Sequence, residues 1–470
     1  VILTQSMRLN LQHYMDVIHE AGMSTHINHR KTMTGWAMYD WANSSYALVI
    51  NTALFPLYFQ AVMGNDAHTL RLFGQSVSAN AAYSYSLTLS FLILVFLSPV
   101  FSSIAGSRGN KLSFLKFFCA LGALSTMGLF FFKSPSDVGL ALILNICASI
   151  GFYGSLVFYN AFLPEIASAD KQDALSAKGF ALGYIGSLLL LIISLILVQA
   201  VADDSNRGFY TRLCFLLTGL WWLGFAQFSF SRLPKNRVLS ATEQTHHAQK
   251  SVLTLLTDSY AELSKTVNEL LRSKRIKWFL TSFFFYSVGM QTIFSSATFI
   301  GTEIHLSQTK MILTIMLLQI EAIIGALSFA WLVKKIGNTA GLSLAVIIWI
   351  VICLMIYRLV SLSLHTNLNL ETEFFVTAGL VGLVMGGLQA VSRSTYSKLL
   401  PTSHDSSTFF SFYDVLEKCA IVVGTLVHGT LVNQTGNTQA SALALALFFV
   451  VGLLCLLRLR MYEPRPHSAK

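Results

Sequence analysis

The chain has 470 residues, of which 54% are hydrophobic and 11% charged, and its formal net charge is +10. That charged share is about half of the roughly 25% usual for a soluble domain. Apolar stretches near the ~20 residues that cross a bilayer recur along the whole length, which excludes a soluble enzyme and predicts a polytopic membrane protein.

Residues 1–34 are polar and mixed in charge, without the apolar core of a signal peptide. They read as a cytoplasmic N-terminal segment. Met23, just before "STHINHRK", is a candidate start, so residues 1–22 carry no functional weight. Twelve helical spans follow, at 36–62, 81–105, 113–133, 138–163, 179–201, 208–231, 278–300, 311–333, 339–360, 374–396, 408–432 and 440–459. The expected fold class is all-α: twelve transmembrane helices in two pseudo-symmetric six-helix bundles, residues 35–231 and 278–460. Residues 232–277 link the bundles, and 461–470 form a tail.

With both termini cytoplasmic, the outer segments hold Arg71, Lys133, Arg207, Arg212, Lys310 and Arg358, and Lys418 lies inside a span. Every other Lys and Arg is then cytoplasmic or at a cytoplasmic helix end, as the positive-inside rule requires. The net charge is thereby explained by topology, and nucleic acid is not an expected partner. In the linker, Val252, Leu255, Leu256, Leu263, Val267, Leu270 and Leu271 recur at steps of three and four. They predict an amphipathic helix on the cytoplasmic face, with an unbound linker helix as the alternative. "SRGNK" (107–111) after span two matches "KKIGN" (334–338) after span eight, and "NAFLPE" (160–165) matches "SKLLPT" (397–402). Two similar halves with a site between them is a transporter architecture.

Ionisable groups inside a bilayer are costly and face a cavity or a partner. In span one, Trp36, Asp40, Asn43, Ser44, Asn51 and Tyr58 lie within about 60° of Asp40 around the helix. This face either lines a pathway or glues helices together. Span four carries Asn145, Ser149, Tyr153 and Asn160 on one side. Span seven carries Ser287, Gln291, Ser295 and Thr298, and span ten carries Gln389, Ser392, Arg393 and Tyr396. Glu321 in span eight lies near mid-bilayer, where its charge needs Lys418, another cation or a proton. In span eleven, Ser407, Ser411, Asp414, Glu417, Lys418, Thr425 and His428 share a face. Asp414 and Lys418 are spaced for a local ion pair, which can be structural or functional. Arg393 and Lys398, at the inner end of span ten, are candidate partners for Asp40 in an inner gate.

The six cysteines fall in six different apolar spans with no CxxC pair. They indicate neither a metal centre nor a disulfide framework. No phosphate-binding loop, HExxH or nucleophile elbow is present, so neither ATP-driven pumping nor catalysis is expected, and no cofactor. His246-His247 reads as solvated.

"GWAMYDWANSSYALVINTALFPLYF" (35–59), "FYNAFLPEIAS" (158–168), "SAKGFALGYIGS" (176–187), "FFFYSVGMQT" (283–292) and "GGLQAVSRSTYSKLLP" (386–401) carry a family resemblance. The chain resembles the major facilitator superfamily, in particular its "unknown major facilitator" branch, which includes the autophagy-linked vacuolar amino-acid effluxers of fungi. The resemblance implies a cavity lined by spans one, four, seven and ten, and secondary transport with amino-acid export as the substrate hint. The superfamily's loop motif after span two is degraded: Ser102 stands at its first glycine and Gly106 at its aspartate. The glycine–proline pattern associated with antiporters in span five is absent from "GFALGYIGS".

The expected function is a secondary transporter, with a fold-retaining sensor or scaffold as the alternative. The expected substrate path is Asn43, Asn51, Asn145, Tyr153, Asn160, Gln291 and Gln389. The expected coupling cluster is Glu321, Asp414, Glu417 and Lys418, and the inner gate is Asp40 with Arg393. Expected partners are a small-molecule solute, the lipid bilayer and protons, for a monomer in a bacterial cytoplasmic membrane.

Overall fold

The computed structural model describes residues 27–64, 70–72, 75–77, 79–203, 205–235, 252–304, 306–365, 369–401 and 406–463. Met23 and His246-His247 lie outside them. The first six spans are α1 (Arg30–Met63), α2 (Ala79–Arg108), α3 (Lys111–Gly128), α4 (Val138–Ala161), α5 (Ala169–Val201) and α6 (Arg207–Phe230). The linker helix is α7 (Val252–Arg272). The last six are α8 (Lys274–Glu303), α9 (Gln308–Ile336), α10 (Asn338–His365), α11 (Glu371–Leu399), α12 (Ser406–Thr435) and α13 (Gln439–Arg460). Eleven helical segments among the described residues are long and apolar enough to cross a membrane. The thirty-residue α8 completes the twelve-helix architecture. Leu124, Ile143, Ile324, Trp331 and Leu447 are exposed, as lipid-facing side chains are, because a bilayer solvates them without penalty.

Each half has its own apolar core. One is built around Trp36, Tyr46, Phe55, Phe118, Tyr159 and Trp222, the other around Tyr286, Trp349, Tyr396 and Phe449. The halves meet where α5 packs on α9 and α11, and where α12 packs on α2 and α4. At the first seam Ala177, Ala326, Ala330 and Ala390 form a small cluster beside Phe180; such small side chains let helices approach closely. The two turns paired in the sequence repeat both hold a glycine at positive φ, Gly109 at 60° and Gly337 at 85°. Only glycine takes that conformation without a Cβ penalty.

Two helix starts depart from expectation. The fifth span starts at Ala169 rather than 179, because its polar first turns project beyond the apolar run and meet the other half. The first span starts at Arg30 rather than 36. A short antiparallel ribbon, β1 (Leu70–Leu72) and β2 (Gln75–Val77), follows α1 within the all-α fold. The linker helix leans on α2 and α12, and the Tyr260 hydroxyl donates to the Phe96 carbonyl at 2.6 Å. Its Leu270 is buried, whereas Leu271 is 43% exposed.

Within α1, Tyr46–Leu54 is wound as a wider π-type turn. Such segments leave carbonyls free for other donors and often mark functional sites. Here Thr52 Oγ1 reaches back to the Ala47 carbonyl at 2.9 Å, and the Tyr83 hydroxyl takes the Asn51 carbonyl at 2.9 Å.

Candidate functional site

The N-terminus of α1, the C-termini of α4 and α11, and the N-termini of α5 and α12 lie at one end of the bundle, called here the basic end. Arg393 sits there, buried between the halves. Its Nη1 and Nη2 donate to Asp40 Oδ2 at 3.2 and 3.3 Å, and the Tyr159 hydroxyl donates to the same oxygen at 2.7 Å. Arg393 Nε and Nη2 donate to Ser176 Oγ and O at 3.0 and 2.8 Å, and Nη1 donates to Asn160 Oδ1 at 3.3 Å. The guanidinium carbon lies 4.1 Å from the Phe180 ring centre and 4.7 Å from that of Trp36. A planar, permanently charged fork suits this combination of ion pair and stacking, which an ammonium would not reproduce. Space for it requires Gly179: a Cβ there would stand 2.5 Å from Asp40 Oδ2 and 3.0 Å from Arg393 Nη2.

Two more polar links join the halves at this end. Lys398 pairs with Asp173, whose other oxygen accepts from Asn338 Nδ2 at 2.8 Å. Lys111 pairs with Glu165 and donates to Ser406 Oγ at 2.9 Å, while Ser406 Oγ donates to Glu165 at 2.6 Å. Lys398 is therefore not a partner of Asp40. A little deeper, Ser176 Oγ donates to the Ala390 carbonyl, Tyr184 donates to Gln389 Oε1 at 2.7 Å, and Ser98 and Ser411 hydroxyls lie 2.9 Å apart.

A second charged group occupies α12 about 18 Å along the helix from Ser406. Lys418 Nζ donates to Asp414 Oδ1 at 2.9 Å and to Glu417 Oε2 at 3.4 Å. Gln291 Nε2 from α8 donates to Glu417 Oε1 at 2.9 Å. Across the seam, Lys418 lies 4.2 Å from the Tyr153 ring centre and 5.9 Å from that of Phe91, a cation–π arrangement. Lys418 is buried, whereas the Glu417 side chain is 25% exposed. Asp414 Oδ2 is buried with no hydrogen-bond partner among the described residues.

The structure brings together Asp40 with Arg393, and Asp414, Glu417, Lys418, Gln291 and Tyr153. It does not bring Glu321 to them. Glu321 lies against Gly379 and Gly382 of α11, with its Oε2 buried and unpartnered. Lys418 is taken by Asp414 and Glu417 of its own helix, which leaves, of the alternatives for Glu321, another cation or a proton. Asn160 belongs to the Arg393 cluster rather than to an open path. Asn43 is buried with Nδ2 unpartnered, Asn145 donates to Ser86 Oγ at 2.8 Å with Oδ1 unpartnered, and Asn51 Oδ1 accepts from Tyr83 at 3.1 Å. Asp173, Glu165, Lys111, Ser176 and Tyr184 were missed from sequence. Asp173 and Glu165 flank the short link before span five, and their signal was acidic charge among the basic residues of that helix end.

Comparison with known proteins agrees with this architecture. Residues 28–467 match the family described as "Vacuole effluxer Atg22 like". A Bacillus subtilis protein named uncharacterized MFS-type transporter YxiO is 30% identical, over 91% of this chain and 94% of its own length. Autophagy-related protein 22 of Saccharomyces cerevisiae is 25% identical, over 88% of each chain. Among solved structures, the proton:xylose symporter XylE matches with a TM-score of 0.69 at 14% identity, covering 94% of this chain and 96% of its own. The transporter FucP in its outward conformation matches at 0.60 and 15% identity, covering 92% of this chain and 98% of its own. At these identities the solved structures show the fold, which is that of the major facilitator superfamily.

Proposed function

The chain belongs to the Atg22-like family of MFS-type transporters and is a secondary transporter rather than an enzyme; from that premise we propose that it carries a small polar solute by alternating access, coupled to protons. The observation that carries this reading is the pairing of a closed end with a charged group above it. Asp40–Arg393 and its neighbours lock the basic end, while Asp414, Glu417, Lys418 and Gln291 hold an ion-binding constellation deeper in the bundle. The basic end faces the cytoplasm, on the distribution of Lys and Arg, so this is the state that loads from the opposite side. The halves then rock about the mid-membrane site: the Arg393 cluster opens, and Asn43, Asn145, Gln291 and Gln389 supply neutral hydrogen bonds to the passing solute. Amino acids are the first solutes to test, and the protein works as a monomer in a bacterial cytoplasmic membrane.

The test is counterflow in proteoliposomes of purified protein, with labelled amino acids, sugars and nucleosides, at several pH and sodium gradients. Exchange of one solute class, abolished by Arg393→Gln, is the expected result. No exchange of any solute under any gradient would defeat the proposal.

A further inference from the structure

At the basic end, α1 and α6 present one continuous strip to the lipid. From α1 it takes Lys31, Thr34, Met38 and Trp41, at steps of three and four. Each is exposed or half-buried, beside the buried Trp36, Ala37 and Tyr39. From α6 it takes Trp221, Phe225, Phe228 and Arg232, again at steps of three and four, with Phe225 and Phe228 exposed. The helices close on each other at both ends of the strip. A Cβ on Gly35 would stand 2.5 Å from Arg232 Cβ. Trp221 Nε1 donates to the Trp41 carbonyl at 3.2 Å, and the two rings stack 5.6 Å apart. Phe225 lies 4.6 Å from Trp221 and 5.9 Å from Trp41. The Arg232 guanidinium caps the strip, 3.4 Å from the Phe228 ring centre. Its Nη1 donates to the Phe228 carbonyl and to Ser231 Oγ at 2.9 and 3.1 Å, while Nε and Nη2 have no partner among the described residues.

Two properties name an occupant. The first is charge without counter-charge: Arg30, Lys31, Arg232 and Lys235 gather at the mouth of the strip, and residues 27–39 and 213–235 contain no Asp or Glu. The second is length. Trp221 to Arg232 covers about 16 Å of helix, half of the ~30 Å hydrocarbon core and so the depth of one leaflet. We propose that this strip binds one anionic phospholipid of the cytoplasmic leaflet, with its phosphate on Arg232 and Lys31 and one acyl chain along Phe228, Phe225, Trp221 and Trp41. A guanidinium fork with free N–H edges suits a phosphate, and clustered Lys and Arg at the cytoplasmic surface select anionic lipids. The rings hold one another in place, so a chain packs on them without first ordering them. A soluble phosphate would use the cations and leave the rings. A zwitterionic lipid would use the rings and bring its own ammonium against the cations. The bound lipid ties the inner end of α1, which carries Asp40 on another face, to the end of α6. The inference does not depend on which solute is carried.

The experiment is native mass spectrometry of the full chain, delipidated in detergent, with added phosphatidylglycerol or phosphatidylcholine of the same chains. Melting curves run in parallel. One phosphatidylglycerol should be retained preferentially and should raise the melting temperature. Lys31→Gln with Arg232→Gln should lower that preference about tenfold or more, whereas Arg232→Lys should keep most of it. Phe225→Leu with Phe228→Leu should weaken retention of both lipids and spare the preference. Lys335→Gln removes a cation 3.7 Å from the ring centre of Trp331, a lipid-facing residue of the other half, and should change nothing. Each variant is first checked for cooperative melting, and Lys31→Gln alone, at an exposed position, carries the test if Arg232→Gln does not fold. Equal retention of the two lipids, or a preference that survives loss of the cations, overturns the proposal. So does displacement of the lipid by glycerol phosphate at equal concentration, which would leave an anion site only.

Discussion

Replacing Asp40 by Asn removes one charge from the Arg393 site and leaves its shape intact. In the closed basic end the guanidinium would then be buried without a counter-charge, since it is only 4% exposed. Removing one partner of a buried ion pair costs about 3–5 kcal/mol. An Asn oxygen still accepts from Arg393 and Tyr159, which keeps part of the hydrogen bonding, so about 2–3 kcal/mol is the expected net loss. When the basic end opens, water reaches Arg393 and little of that penalty persists. The equilibrium between the two states should therefore move toward the basic-end-open form by a factor of about 30–150. The assay places a single cysteine at Ala177, buried in the seam between α5 and α11, in a background lacking the six native cysteines. Maleimide labelling in inside-out vesicles should be slow with Asp40 present and at least about tenfold faster in Asp40→Asn. Adding Arg393→Gln should bring the rate part of the way back, because neither side then holds a bare charge. Equal labelling rates with and without Asp40 would refute the reasoning.

Gly179→Ala should act in the same direction as Asp40→Asn, because its Cβ would displace Asp40 Oδ2 and Arg393 Nη2; the same labelling assay reads it. Glu321→Gln should raise thermal stability in detergent by about 1–2 kcal/mol, since it replaces an unpaired carboxyl, and leave the pH dependence of transport intact. A lower melting temperature would contradict this. Lys418→Met should destabilise the protein by about 3–5 kcal/mol by stranding Asp414 and Glu417. Adding Asp414→Asn should recover much of the loss, measured as detergent melting curves of the single and double variants.

Much of the architecture was legible because a membrane helix announces itself by length and apolarity. Local geometry was legible too: Asp414 and Lys418 pair at the spacing the helix dictates. Asp40 and Arg393 were also paired in advance, because counting along spans one and ten puts both at the same end of the bundle. What sequence could not supply was the partner choice among several basic groups. Lys398 goes to Asp173 because α5 begins about three turns earlier than its apolar run, placing Asp173 beside α11. Glu321 was misplaced for a related reason. Depth along a helix is readable from residue counts, but the helix α9 turns Glu321 toward the glycines of α11 rather than toward α12. Helical periodicity gives faces relative to one another and not the direction in which each face points.

The glycine seam between α9 and α11 has a mechanical meaning. A Cβ on Gly325 would stand 1.8 Å from the Leu383 carbonyl oxygen, and one on Gly386 would stand 2.1 Å from that of Ala322. With backbone against backbone there is no side-chain cushion to shear, so the two helices form a single stiff beam. The 29 residues of α11 make that beam about 43 Å long, and Arg393 is bolted near one end of it. Releasing a guanidinium from a carboxylate frees only a few ångströms of motion at that end. In the proposed alternating-access cycle, a stiff member would carry that motion to the whole half, with the glycines as its weld.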